Sequence, residues 1–361
     1  MKFFQPTEPV LTRGKLNKSV IADGAVNLQG WVTSFEKKKL DGMLVSINGN
    51  EFKDIELTHS LPSPGFKKIY PYIPGTEKAR YEIKIPLTGK QQKQFKNSLV
   101  LLTPSYEGQP GGIMANLLEP SLPIPPQEYI KFVGGHFTDV GLNFLGYLIQ
   151  IVGLEPTDKV LDVGCGVGRI AYPLTYYLNS QGGYEGFDIA EKLIEWARTE
   201  ISSRFANFNF QVVDIYNKMY NREGKVKTLD FVFPHPDKSF DLVVLTSVFT
   251  HLQAKEVRHY LDEITRVLKP RGRCLCTWFL LNPESEAAMA KNKKATQIVH
   301  PLEECFTSSP KMPEATIGFK EPLLLSWMKE RGLSVVGKYY GHWCGRRQFT
   351  SHQDLLVLQK S

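Results

Sequence analysis

The chain has 361 residues, 42% hydrophobic and 22% charged, the composition of a soluble globular protein with a sizeable core, and its length predicts two domains. Its net charge of +7 falls mostly before Pro125, where 16 Lys and Arg face 11 Asp and Glu; Lys37–Lys38–Lys39 and Lys67–Lys68 are the densest runs. No aromatic residues are interleaved with them, so they read as solvated loops and no nucleic-acid partner is expected.

The first nine residues, MKFFQPTEP, lack the apolar core of an export signal. The longest apolar segment, around Leu142 to Leu154, is interrupted by Asn143, Gly146 and Gln150 and is too short to span a bilayer. A cytoplasmic address without a membrane span follows. Five cysteines without framework spacing fit a reducing compartment, and Cys274 and Cys276, on one face of one strand, read as core residues. No metal site is expected.

In chain order, VNLQGWVTS (26–34), GMLVSI (42–47), FKDIELTH (52–59), ARYEIKIPL (79–87) and SLVLLTPSY (98–106) carry a short apolar period and read as strands. Asn48-Gly49 predicts a hairpin. These elements predict a small all-β sandwich over residues 1–106, similar to carbohydrate-binding modules in outline only. Pro110, Gly111, Gly112, Pro120, Pro123, Pro125 and Pro126 then predict a linker over 107–127.

From 128 to 361 strands and helices alternate, the pattern of a parallel α/β sheet with right-handed crossovers. Strands are expected at 159–164, 184–188, 208–214, 240–247, 273–281, 334–340 and 354–359. Helices are expected at 169–179, 190–205, 254–268 and 321–332.

The first of these strands runs into VLDVGCGVG (160–168), where Gly164, Gly166 and Gly168 leave a backbone that a ligand can touch. Dinucleotide folds space their glycines as Gly-x-Gly-x-x-Gly; here the third comes one residue early. Asp162, Asp188 and Asp214 stand at three successive strand ends, and Asp188 follows Gly168 by 20 residues, where a carboxylate meets ribose hydroxyls.

VLDVGCGVG, GFD (186–188), VVD (212–214), FDLVVLTSVFTHL (240–252) and VLKPRGR (267–273) together resemble the successive motifs of class I S-adenosylmethionine (SAM) methyltransferases, in family order. The resemblance implies a Rossmann-like, seven-stranded methyltransferase sheet from about Phe132 onward, with SAM as cofactor. Carried over by motif, Asp162 and the turn Gly164, Cys165, Gly166 and Gly168 hold the methionine part. Asp188 with Ile189 takes the ribose, Asp214 and Ile215 the adenine, and Thr246 with Ser247 the floor. Gly134 and Gly135 of FVGGHF are expected to touch the cofactor.

Thr246-Ser247-Val248-Phe249 replaces the prolines of amino-directed nucleobase methyltransferases, and the Pro-Cys of cytosine C5 enzymes is missing, so a nucleobase acceptor is disfavoured. His251 is the leading base for a hydroxyl acceptor, with a turn-fixing role as the alternative; His136 is second. Tyr216, Tyr220, Trp343, Arg346 and Arg347 are candidate substrate contacts, and the long segment 283–320 a candidate lid.

The resulting expectation is a SAM-dependent methyltransferase acting on a small-molecule, sugar or lipid-linked acceptor, by O-methylation first. A SAM-fold binding protein without turnover, N- or carboxyl-methylation, and an NAD-dependent oxidoreductase are the alternatives.

Overall fold

A computed structural model describes residues 9–218 and 220–361; the sequence reading of residues 1–8 lies outside the described residues. The chain forms two compact units. The first contains residues up to Pro126, with Gly134–Gly153 and Tyr172–Tyr177; the second contains Gln127–Val133, Leu154–Ala171 and Leu178–Ser361.

The first unit is built on strands β1 (Thr12–Ala22), β2 (Ala25–Ser34), β3 (Leu40–Ile47), β4 (Asn50–Phe52), β5 (Glu56–Leu61), β6 (Arg80–Pro86), β7 (Ser98–Tyr106), β8 (Gln109–Pro110) and β9 (Met114–Leu118). They make two antiparallel sheets, β1-β2-β6-β5 and β4-β3-β7, with β8 and β9 both paired to β7. Alternation explains the core. Tyr81, Ile83 and Ile85 of β6 turn inward, and Leu16, Val26, Leu28 and Val32 share one apolar cluster with Val45, Ile47, Val100 and Leu102 of the other sheet. The expected sandwich is present.

Asn48 (φ +48°) and Gly49 (φ +77°) close the hairpin between Ile47 and Asn50, the left-handed pair that a two-residue turn requires. Strand β1 was not expected, because in TRGKLNKSVIA only Leu16 is buried; its pairing with β2 along its length holds it as an edge.

Residues 107–127 are not a plain linker. The prolines break the segment into pieces, yet Met114–Leu118 offers an apolar run that pairs with β7. The helix Phe137–Tyr147 and the turn after it also join this unit: Gln150 Nε2 donates to Gly111 O (2.7 Å), and its Oε1 accepts from Ile113 N (3.0 Å).

The second unit carries β10 (Lys159–Val163), β11 (Gly183–Asp188), β12 (Phe208–Val212), β13 (Phe240–Leu245), β14 (Leu268–Trp278), β15 (Leu280–Leu281), β16 (His300–Pro301), β17 (Phe306–Thr307), β18 (Ile317–Lys320), β19 (Leu333–Tyr339) and β20 (Asp354–Lys360). Its main sheet has the order β12-β11-β10-β13-β14-β20-β19, with β20 antiparallel to both neighbours. The chain leaves β10 for β11 on one side and later returns to β13 on the other. That reversal opens a crevice beyond the carboxyl ends of β10 and β13.

The helix Ala254–Val267 covers the sheet with Val257, Leu261, Ile264 and Val267 fully buried, and its start is capped reciprocally by Gln253 and Glu256. The helix expected over 169–179 shrinks to Ala171–Leu174, where Pro173 removes a donor.

The segment expected as a lid, 283–320, is instead a packed layer. Strands β15, β18, β17 and β16 form a second small sheet, and Cys305, Ile317 and Phe319 are buried in the main core. Among the described residues no helix is long and apolar enough to cross a membrane.

Candidate active site

Strand β10 is buried on both faces, so its run ends abruptly where the glycines begin. Gly164 (φ +73°), Gly166 (φ +54°) and Gly168 (φ +77°) all adopt the left-handed conformation, which side chains rarely take. The N–H groups of Gly164 and Cys165 both donate to Phe187 O, at 2.9 and 3.1 Å. The turn is thereby tied to β11.

Asp188 makes the second tie. Its Oδ2 accepts from Gly166 N (2.8 Å) and its Oδ1 from Ala190 N (2.9 Å), which leaves each oxygen a further lone pair. Burial pushes its pKa up and the backbone donors oppose that shift. Ile189 follows it, packed against the core of the unit.

Asp162 is completely buried. Its Oδ2 accepts from the Tyr184 hydroxyl at 2.6 Å, and its Oδ1 has no hydrogen-bond partner. Burial is the main reason its pKa is pushed up to about 7; the Tyr184 bond and the nearby Arg169 act against it, while Asp188 adds to it. Tyr184 was missed by sequence reasoning. Gly186 is the signal that could have found it: a Cβ there would lie 2.9 Å from the Tyr184 hydroxyl, so the glycine makes room for that ring to reach Asp162.

Asp214 is exposed beyond the end of β12, and its Oδ1 accepts from Lys225 N at 3.3 Å. Ile215 is buried and makes an isolated parallel bridge to Val226, and the segment between them carries Tyr216 and Tyr220, both exposed. Thr246 is half-buried at the end of β13. Ser247 beside it has φ +59°, donates its N–H to Thr277 Oγ1 (2.7 Å) and its hydroxyl to Gln353 Oε1 (3.1 Å). Gln353 carries no motif and was not foreseen.

His251 ends a short 3-10 turn, Phe249–His251, just before the helix cap. Its Nδ1 lies 2.8 Å from Glu314 O. A carbonyl only accepts, so Nδ1 carries the proton and the lone pair resides on Nε2, for which the described residues offer no hydrogen-bond partner. Burial lowers the pKa of this imidazole, and the Glu314 bond partly offsets the shift. The ring meets Tyr220 edge-on at 6.3 Å, and Tyr220 in turn meets Phe132 at 5.5 Å.

Two of the other expected contacts are taken up by the fold. Trp343 is buried, with its indole N–H donating to Asp354 Oδ2 (2.7 Å), and Arg346 is buried, with its guanidinium on Gly341 O (3.1 Å) and Asp354 Oδ1 (3.3 Å). The fold itself uses these two side chains, so the wall and the clamp expected of them are not presented to a ligand; Arg347 is exposed. Gly134 and Gly135, with φ +71° and +69°, and the exposed His136 belong to the first unit. Among the described residues no cluster of three or more His, Cys, Asp or Glu could hold a metal.

Residues 154–328 match the family model described as a methyltransferase domain. The chain is similar to phosphoethanolamine N-methyltransferase 3 of Arabidopsis thaliana, 25% identical over 159 residues that cover 44% of this chain and 29% of that protein. It is also similar to aklanonic acid methyltransferase DauC of Streptomyces sp. strain C5, 33% identical over 109 residues that cover 30% of this chain and 41% of that protein. The chain spans less than half the length of these curated relatives.

Among solved structures, the PH0226 protein of Pyrococcus horikoshii OT3 aligns with a TM-score of 0.45 at 18% identity over 65% of this chain and 96% of that one. A 1,6-didemethyltoxoflavin-N1-methyltransferase of Burkholderia thailandensis aligns with a TM-score of 0.42 at 14% identity over 65% of this chain and 84% of that one.

The residues present fit SAM, the cofactor that the sequence motifs imply. The buried Asp162 Oδ1 lacks a donor, which an ammonium group supplies; Asp188 keeps lone pairs for ribose hydroxyls; and Asp214 keeps Oδ2 for an adenine amino group.

Proposed function

We propose that this chain binds SAM on the Gly164–Gly168 turn and directs its methyl group to a hydroxyl oxygen of a small-molecule, sugar or lipid-linked acceptor, with His251 as the base. The observation that carries the reading is the hydrogen bond between His251 Nδ1 and Glu314 O, because it fixes the tautomer whose Nε2 can accept a proton.

SAM, which Asp162, Asp188 and the glycine turn would hold, would supply an electrophilic methyl carbon carried on a sulfonium. The protein's part is then positioning and proton removal. Asp188 and the glycine turn hold one partner, Ser247 and Gln353 line the end of β13, and Nε2 of His251 takes the hydroxyl proton. That proton passes to solvent after turnover. A carboxylate acceptor needs no base, whereas an amine acceptor also sheds a proton and could use the same imidazole, so amine and hydroxyl acceptors are separated by the panel below. Five free, buried cysteines support placement in a reducing compartment, and the cytoplasmic address is part of the proposal.

The test is release of S-adenosylhomocysteine with a panel of hydroxyl, amine and carboxylate acceptors. Turnover confined to hydroxyl acceptors and lost in His251→Ala supports the reading. Turnover with amines that survives His251→Ala overturns it.

A further inference from the structure

Two large aromatic side chains stand in solvent where the fold does not require them: Phe132 is 52% exposed and Tyr220 is 41% exposed. They are not scattered. Phe132 and Tyr220 meet with ring centroids 5.5 Å apart at 62°, and Tyr220 and His251 at 6.3 Å and 83°.

One end of this chain of rings is anchored at the glycine turn. Val133, next to Phe132, accepts at its carbonyl from Arg169 (2.8 Å), and its Cγ1 would be 2.9 Å from a Cβ on Gly166. The other end is the proton-accepting nitrogen of His251. Two exposed rings, continued by the half-buried ring of His251, therefore run from the backbone of the glycine turn to the proposed proton acceptor.

We infer that Phe132, Tyr220 and His251 form the acceptor platform, and that the platform takes a planar aromatic ring bearing a hydroxyl group, a phenol in the chemical sense. The inference rests on the reading of the site as a SAM-dependent O-methyltransferase. Two arguments select this acceptor class.

Ring faces and edges at these separations and angles are the arrangement in which a further aromatic ring gains most from offset or edge-on contact. A sugar, by contrast, needs a set of polar partners for its several hydroxyls, and the strip offers only two, the Tyr220 hydroxyl and Nε2 of His251.

Acidity is the second argument. A phenol has a pKa of about 10, whereas an alcohol lies nearer water at about 15.7. An imidazole made less basic by its surroundings is matched to the former.

The test uses the full chain saturated with S-adenosylhomocysteine, titrated calorimetrically with 2-naphthol, with decahydro-2-naphthol as its saturated, non-planar counterpart, and with methyl α-glucoside. Ring contacts of this kind predict a preference for the naphthol of about tenfold over the saturated alcohol and no saturable glucoside binding. Tyr220→Leu and Phe132→Leu keep apolar bulk without the ring, and both side chains are exposed, so the variants fold; each is expected to remove most of the preference while leaving affinity for S-adenosylhomocysteine unchanged.

Equal affinity for the two alcohols, a preference for the glucoside, or a naphthol preference untouched by both variants overturns the platform alone. Failure of S-adenosylhomocysteine to bind overturns the cofactor reading, and the platform with it.

Discussion

Nδ1 of His251 donates to the main-chain oxygen of Glu314 at 2.8 Å, so an imidazole at the end of one strand has its tautomer set by a residue 63 positions later in the packed layer 283–320. The layer that the sequence suggests as a lid thus acts as a support for the proposed base.

His251→Ala is expected to lower kcat by about 10²- to 10⁴-fold, the usual contribution of a positioned base, with SAM affinity unchanged. Because burial lowers the imidazole pKa, the group is neutral at pH 7, and the acid limb of the kcat–pH profile falls below about 6.5. Steady-state kinetics across pH 5 to 8 checks both. Unaltered turnover in the variant returns His251 to a turn-fixing role.

Asp162 is expected to make the ligand-free protein lose stability as pH rises. Its folded pKa of about 7 exceeds the unfolded value near 3.9, so between these values the folded state holds a proton that the unfolded chain has released. Stability from this group is present below about pH 4 and is lost by about pH 7, on the order of a few kcal/mol. Asp354, pushed up to about 6 by burial, acts with the same sign, so the readout is the difference between wild type and Asp162→Asn. Urea midpoints from pH 4 to 8 are expected to fall less steeply in the variant; parallel curves contradict the assignment.

Asp188→Ala removes the acceptor of both Gly166 N and Ala190 N, which costs about 1–3 kcal/mol for each buried donor left unpaired. The larger effect is on binding. Thermal-shift stabilisation by SAM is expected to disappear, even at temperatures where the variant is folded.

Asp354→Ala strands the Leu280 and Gly341 amides and the Trp343 indole, and takes from the Arg346 guanidinium its buried carboxylate, leaving it Glu284 and Gly341 O. Breaking a buried charge pair of this type destabilises by about 3–5 kcal/mol. Arg346→Ala is expected to cost stability without altering the KM of the acceptor. A raised KM with full stability points to a substrate contact instead.

Much of this fold is legible in the sequence because its strands are short apolar runs bounded by glycine, proline and carboxylates. The strands of the main sheet and the Asn48-Gly49 turn lie close to where periodicity puts them, although Leu268–Trp278 starts five residues early, and the short strands between 300 and 320 were not foreseen. Strand β1 escapes because an edge with one buried residue has no apolar period. Strand β9 is hidden among prolines that punctuate its surroundings without entering it.

At the site, the glycines and the three aspartates are readable because backbone conformation and strand ends constrain residue type. The roles of Glu314, Gln353 and Tyr184 are not, since a carbonyl, an amide or a hydroxyl can serve from any residue that tertiary packing brings near. Trp343 and Arg346 show the converse: side chains that suit a ligand also suit a buried carboxylate such as Asp354.

The central claim is that the Gly164–Gly168 turn with Asp188 is a SAM site. Calorimetric titration of the full chain with SAM, with NAD in parallel, tests it most directly. Saturable one-site binding of SAM, lost in Asp188→Ala and without a counterpart for NAD, is the predicted result. No heat with SAM, or NAD binding that Asp188→Ala abolishes, contradicts it.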